Sequence, residues 1–308
     1  MNDQAAIPID EELFRESLAR LKTPPDRKLS APLTAGLMLL FLVGLLGGRP
    51  TVTGIVSIVA ALILHESGHA LGMRLFGFRD IQMFFIPFFG AAVTGRGRSA
   101  KAWQEAAVTL MGPLPGLILA MLLILFRPLM GPLGHASLEF ARVLVWLNGF
   151  NLLPLGFLDG GRFLERVLFS RHRVLEVAFQ VVTLGLLGYI ALRLRLPVLG
   201  LFAMFTVMLL PLRWRILTVA SRLRRELPLL SPDPDLLSES EARAVFVAAQ
   251  QARPAFQPAA AAAAMEMVLN ATKAPPSALA TLGLLVAYGI GWLVAALGLV
   301  TLFRSPIG

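Results

Sequence analysis

The stretch TVTGIVSIVAALILHESGHALGM, Thr51 to Met73, is 23 residues long and holds no Lys, Arg or Asp. As a helix rising about 1.5 Å per residue, it is long enough to cross the roughly 30 Å hydrocarbon core of a bilayer. Near its end stand His65, Glu66 and His69 in the pattern His-Glu-x-x-His. Four residues at about 100° each bring the two imidazoles within roughly 40° around the helix and about 6 Å along it, so both can hold one metal ion. Glu66 is turned about 100° from the first imidazole, where it can act as a base on a water at the metal without itself ligating. On insertion scales an ionisable group inside a membrane costs about 2.5–3.5 kcal/mol. Three such groups in five residues therefore point to a metal, with a membrane salt-bridge cluster as the competing interpretation.

The rest of the 308-residue chain agrees with a membrane setting. It is 56% hydrophobic and 15% charged, with a mean hydropathy of +0.72, which excludes a disordered or ordinary soluble chain. Cysteine is absent and only four His are present, so thiolate sites and cysteine nucleophiles are excluded and any metal centre must draw on His, Asp and Glu. The net charge of +9 does not point to nucleic acid, because the Lys and Arg cluster at the ends of apolar runs rather than along one face.

Seven apolar runs are long enough to be spans: Ala31 to Gly47, Thr51 to Met73, Trp103 to Phe126, Ser137 to Leu158, Val174 to Leu192, Leu196 to Leu212, and Ser277 to Phe303. With the N-terminus inside, 22 Lys and Arg fall on the inner side and 6 on the outer, as the positive-inside rule requires. Arg193-Leu194-Arg195 is a short separator that also suits a tight hairpin, which would move the C-terminus to the other side. The expected organisation is a cytoplasmic N-terminal arm (1–30) without a signal peptide, a transmembrane region (31–225) whose core is about 51–162, an Ala-rich cytoplasmic insertion (226–276), and a final span with a short tail (277–308). Within the insertion, Ser238 and Glu241 form a capping-box signal for one short helix, and Pro258 opens a second through Ala259 to Ala264. The poly-Ala run reads as surface helix without chemistry.

A catalytic zinc takes three protein ligands and keeps a position for water, so a third ligand is needed. His135, His172, Asp80 and Asp159 are the candidates. Asp159 ends the fourth expected span on the same side of the membrane as the His pair, so topology selects it. Taken alone, its position before Gly160-Gly161 is also that of an ordinary cap or turn aspartate.

These motifs together resemble the site-2 protease family of intramembrane zinc metalloproteases. The resemblance rests on His65-Glu66-x-x-His69, on Asn151, Pro154, Leu158, Asp159 and Gly160 in Asn-x-x-Pro…Leu-Asp-Gly, and on Gly112-Pro113 between them. It covers roughly Ile63 to Arg162. It implies a three-helix metalloprotease core, one zinc held by His65, His69 and Asp159, Glu66 as general base, and Asn151 as the asparagine associated with substrate positioning or oxyanion stabilisation. Phe157 departs from the family pattern, where many members have proline, and puts the local backbone path in question. Asn148, one turn before Asn151, reads as a helix–helix hydrogen bond.

Between Arg79 and Gly97 an aromatic run is interrupted by Pro87 and Gly90. It suits an edge strand or re-entrant β-hairpin, which in the family can pair with an unwound substrate, and equally an interfacial loop with aromatic anchors. Gly112-Pro113-x-Pro115-Gly116 breaks the third span and reads as structural support.

The expectation is an all-α polytopic membrane protein of about seven transmembrane helices, with a re-entrant β-hairpin. It hydrolyses peptide bonds of transmembrane protein substrates within a lipid bilayer, in a bacterial-type inner or plasma membrane, with its active site toward the cytoplasm. The alternatives are a catalytically silent relative that binds membrane helices and, with less support from scattered ionisable residues, a metal transporter. Substrate identity and oligomeric state leave no trace in the sequence.

Overall fold

The computed structural model describes residues 10–23, 51–86, 90–96, 100–129, 131–155, 158–194 and 197–304. Its elements in chain order are α1 (Glu11–Lys22), α2 (Val52–Leu75), β1 (Arg79–Ile86), β2 (Gly90–Arg96), α3 (Ala102–Met111), α4 (Pro113–Phe126), α5 (Gly134–Asn151), α6 (Asp159–Val167), α7 (Arg173–Leu194), α8 (Pro197–Glu226), α9 (Glu239–Ala252), α10 (Pro258–Thr272) and α11 (Ala278–Arg304). They fall into two compact units: Arg27–Leu168 with Pro275–Gly308, and Met1–Asp26 with Phe169–Ala274.

Four helical stretches among the described residues are long and apolar enough to cross a membrane: Val52–Leu75, Ala102–Leu129, Arg173–Arg193 and Ala278–Leu302. These are four of the seven expected spans. The first expected span, Ala31 to Gly47, lies outside the described residues. The fourth is not one helix to Leu158: α5 stops at Asn151 and tight turns follow, with Leu155 N–H donating to the Leu153 carbonyl at 2.8 Å. Pro154 accounts for the stop, because it lacks an N–H and disfavours helical backbone in the residue before it. The sixth runs on without a break through Pro211 into the basic stretch to Arg225, as the 30-residue helix α8.

In the unit that carries the His pair, α2 buries Ile58, Ala61, His65, Gly68, His69 and Gly72 along one stripe at helical spacing. It exposes Val52, Val56, Ile63, Leu71 and Leu75 on its other faces. Polar groups inside and apolar groups outside invert the soluble pattern and suit lipid. The same outward apolar belt recurs on α11 through Leu282, Val286, Ile290, Leu293 and Leu297. Ala61 of α2, Ala120 of α4, and Leu138, Ala141, Leu144 and Val145 of α5 form one buried cluster. Ala106, Leu117, Leu152, Phe163, Val167 and Ala295 form another, which joins α6 and α11 to α3 and α4. Small residues bring the backbones close: a Cβ added to Gly298 would stand 2.8 Å from the Val145 side chain.

After α2 the chain turns at Gly77, whose φ of +76° favours glycine, and enters an antiparallel pair. Met83 faces Val93, Phe84 faces Ala92 and Ile86 faces Gly90, with an irregularity between Arg79 and Gln82. Of the alternatives open from sequence, strands rather than a loop flank Pro87, and they pack beside α2. Pro87 to Phe89, between them, lie outside the described residues.

The second unit has its own core of Phe14, Leu21, Ile216, Leu223, Val245, Phe246, Ala261, Met265 and Val268. One reading of the sequence changes here and another gains detail. Residues 11–22 of the N-terminal arm form a packed helix, since α1 buries Phe14, Ser17 and Leu21. The poly-Ala run is core rather than surface, because Ala261, Ala262 and Ala264 are buried. Alanine has no side chain beyond Cβ, so this face admits neighbouring helices closely. The two helices expected in the insertion are present as α9 and α10. Arg224 closes the end of α10 by donating to the carbonyls of Ala271, Thr272 and Lys273 at 2.6–3.0 Å, which satisfies acceptors that a helix terminus leaves open.

The Ser238–Glu241 capping box is formed in both directions: Ser238 N–H donates to Glu241 Oε2 at 2.8 Å, and Glu241 N–H donates to Ser238 Oγ at 3.3 Å. Ser238→Ala is expected to destabilise this unit by about 1 kcal/mol, read as a lower thermal midpoint of the purified chain. The hydrogen bonds from Ser238 hold the Glu241 carboxyl below its ordinary value of 4.5. The folded pKa is depressed, so this contribution is present above that ordinary value and is lost as the pH falls through the lowered one.

Candidate metal centre

His65 and His69 project from the buried stripe of α2, and Asp159 is the first residue of α6. Asp159 does not end α5, as the sequence suggested; it opens the next helix, where the positive end of the helix dipole favours a carboxylate. Gly160 lets this turn fold back on the end of α5, since a Cβ there would stand 2.0 Å from the Leu152 carbonyl oxygen. That same carbonyl accepts a hydrogen bond from Tyr288 Oη of α11 at 2.7 Å, and the Tyr288 ring stacks on Phe163 of α6 at 5.0 Å. The final helix thus clamps the turn that carries Asp159.

Three side-chain atoms converge. Asp159 Oδ2 lies 3.0 Å from His65 Nε2 and 3.3 Å from His69 Nε2, and the two Nε2 atoms are 3.3 Å apart. Ligand atoms about 2.1 Å from a tetrahedral zinc stand about 3.4 Å from one another, so the observed spacing accommodates such an ion. Asp159 Oδ2 is buried, with the two imidazole Nε2 atoms as its polar neighbours; where both present lone pairs it has no donor, a costly condition for a carboxylate oxygen unless a cation satisfies it. The donor set of two imidazoles and one carboxylate fits zinc. All three residues and Glu66 are between 4% and 9% exposed, so the centre is shielded from bulk water. Among the described residues no other group of three His, Asp or Glu is placed to hold a metal ion.

The far side of each imidazole is held too. His69 Nδ1 is 2.8 Å from the Val108 carbonyl of α3, and His65 Nδ1 is 2.9 Å from Asn148 Oδ1 of α5. The break between α3 and α4 therefore has a definite task. Pro113 ends one helix and begins the next, and Gly112 leaves room for the His69 ring, because a Cβ there would stand 2.3 Å from Nε2. A neighbouring crossing is equally tight: a Cβ on Gly68 would stand 1.9 Å from the Met111 carbonyl oxygen. Gly112→Ala is expected to displace His69 from its Val108 partner and weaken zinc binding by roughly 10–100-fold. Zinc per chain, measured against a competing chelator, checks this.

Glu66 is buried beside His65, with Asp159 and Arg162 nearby. Asn151 lies at the end of α5, half-buried, and its Nδ2 donates to the Leu147 carbonyl at 3.0 Å. Of the other ligand candidates from sequence, His135 is exposed and lies 3.8 Å from Glu139. Phe157, where the family pattern is broken, lies outside the described residues.

Residues 53–133 match Peptidase family M50. The M50 segment contains His65, Glu66, His69 and Gly112 and stops short of Asn148 and Asp159. Across 156 residues, 47% of this chain, the sequence is 24% identical to zinc metalloprotease MJ0392 of Methanocaldococcus jannaschii, covering 45% of that protein. Across 143 residues, 42% of this chain, it is 33% identical to a Mycobacterium tuberculosis protein provisionally named zinc metalloprotease Rip3, covering 36% of it. A provisionally named zinc metalloprotease of Synechocystis is 28% identical over 137 residues, 34% of its length. The matched part thus spans less than half of each relative. The M50 match and these names bear out the site-2 protease resemblance drawn from the motifs, and with the apolar helices they support an integral membrane protein.

Proposed function

We propose that the chain is an intramembrane zinc metalloprotease that cleaves membrane-spanning protein substrates. The observation that carries this is the buried convergence of His65 Nε2, His69 Nε2 and Asp159 Oδ2 next to Glu66, with the His pair on a helix, α2, whose outer face is apolar. His65, His69 and Asp159 would hold one zinc. When bound, zinc supplies Lewis acidity, polarising the scissile carbonyl and lowering the pKa of a water toward about 7. Glu66 takes a proton from the attacking water and passes it to the leaving amine. Asn151 carries two amide hydrogens, one donated to Leu147 and the other assigned here to the charge that develops on the carbonyl oxygen.

Hydrolysis requires an extended substrate, and an unwound peptide in a membrane must find partners for its backbone groups. The β1–β2 pair beside α2 is assigned that role as a re-entrant hairpin with an edge for strand addition. The charge bias of the flanks supports seven spans, with the active site opening toward the cytoplasm. In this topology residues 226–276 form a cytoplasmic segment between the sixth span and the last.

Comparison of membrane proteomes from cells carrying wild-type protein and Glu66→Gln tests this function. Membrane proteins that accumulate uncut only with Glu66→Gln are the expected result, and purified wild type should cleave one of them. An unchanged proteome with both proteins expressed and zinc-loaded would instead favour a silent module that binds membrane helices.

A further inference from the structure

Asn148 is fully buried in the middle of α5, and its two amide atoms have different partners. Nδ2 donates to the Leu144 carbonyl at 2.8 Å. A carbonyl only accepts, so this bond fixes which end of the amide is nitrogen and turns Oδ1 toward His65. Oδ1 only accepts as well, so its 2.9 Å contact with His65 Nδ1 requires the hydrogen to sit on Nδ1. The proton of a neutral imidazole is then committed, and the Nε2 lone pair faces Asp159 and His69.

His69 is set in the same way by the main-chain carbonyl of Val108. His65 differs in depending on a side chain supplied from 83 residues away. The backbone of α4 closes the other side of that side chain: a Cβ on Gly116 would stand 2.3 Å from Asn148 Nδ2. A residue without an acceptor at 148 would leave the buried Nδ1–H unpaired. The imidazole would then gain by moving its proton to Nε2, where Asp159 can accept it, which removes a lone pair from the centre.

We propose that Asn148 is a positioning residue that fixes the tautomer of His65 and so prepares Nε2 for the metal. This rests on the metal-centre reading above. The test uses the full-length chain in detergent and inorganic zinc as the probe, comparing wild type, Asn148→Leu, Asn148→Asp and His65→Ala. Both Asn148 variants lose the bond to Leu144, but only Leu also lacks the acceptor for His65, so a merely structural role would affect the two alike. Expected is a roughly 10–100-fold weaker zinc affinity for Asn148→Leu and a much smaller loss for Asn148→Asp. Equal affinity in wild type and Asn148→Leu, or equal losses in the two variants, would overturn the proposal. If wild type binds no zinc, or His65→Ala binds it as tightly as wild type, the metal-centre reading itself fails. Imidazole nitrogen NMR of metal-free wild type tests the tautomer without any variant: the hydrogen of His65 should reside on Nδ1, and finding it on Nε2 would overturn the proposal.

Discussion

His69→Ala and Asp159→Asn chains are expected to bind zinc more weakly than wild type by more than the roughly 10–100-fold that loss of a supporting contact costs. His69→Ala removes one of three converging ligand atoms and leaves fewer than the three protein ligands that catalytic zinc ordinarily takes, while Asp159→Asn exchanges the anionic oxygen for a neutral amide oxygen, a weaker ligand. Asp159→Asn preserves size and shape while removing the buried charge that faces the two imidazole nitrogens. Without metal, that change relieves a buried charge, so the fold should survive it. Equilibrium competition with a chelator, beside gel filtration to verify the folded state, separates loss of metal from loss of structure. Undiminished zinc affinity in either chain would remove that residue from the proposed ligand set.

The second large effect is on turnover. Glu66→Gln is expected to lower the cleavage rate by roughly 10²–10⁴-fold, the usual contribution of a positioned general base, while zinc per chain stays at the wild-type level. Gln matches Glu in size, and Glu66 is absent from the three converging donors, so the proposed ligands are untouched. Rates on one membrane-spanning substrate, taken with zinc content on the same samples, check both halves. A drop in zinc equal to the drop in rate would make Glu66 a ligand rather than a base.

The relative placement of His65, Glu66 and His69 was legible in the sequence because helical periodicity alone sets it, and α2 forms as that periodicity requires. Asp159 was reached by topology, although the route was off in detail. Leu152 to Leu158 looked like a continuing apolar span, whereas Pro154 breaks the helix and Asp159 starts another. The supports of the two imidazoles were not legible. Val108 contributes only a main-chain carbonyl, which no residue type announces. Asn148 could be read as a cross-helix hydrogen bond, but its partner depends on how α2, α4 and α5 cross. The glycines at 68, 112 and 116 determine those crossings through Cβ atoms they lack, and the sequence shows the glycines without showing what approaches them. The burial of α1 and the poly-Ala helix was hidden similarly: a short charged helix and a run of alanines have weak hydrophobic patterns, and their shared core is assembled from segments some 200 residues apart in the chain.

The most direct measurement is a single reconstituted assay. Purified wild type in lipid vesicles with one membrane-spanning substrate is followed before chelation, after chelation and after return of one equivalent of zinc, beside Glu66→Gln loaded with zinc. Peptide-bond cleavage should occur in the first state, stop in the second and return in the third, and should be all but absent with zinc-loaded Glu66→Gln. Cleavage that persists after chelation and is equally fast with Glu66→Gln would contradict a zinc-dependent hydrolysis built on His65, Glu66, His69 and Asp159.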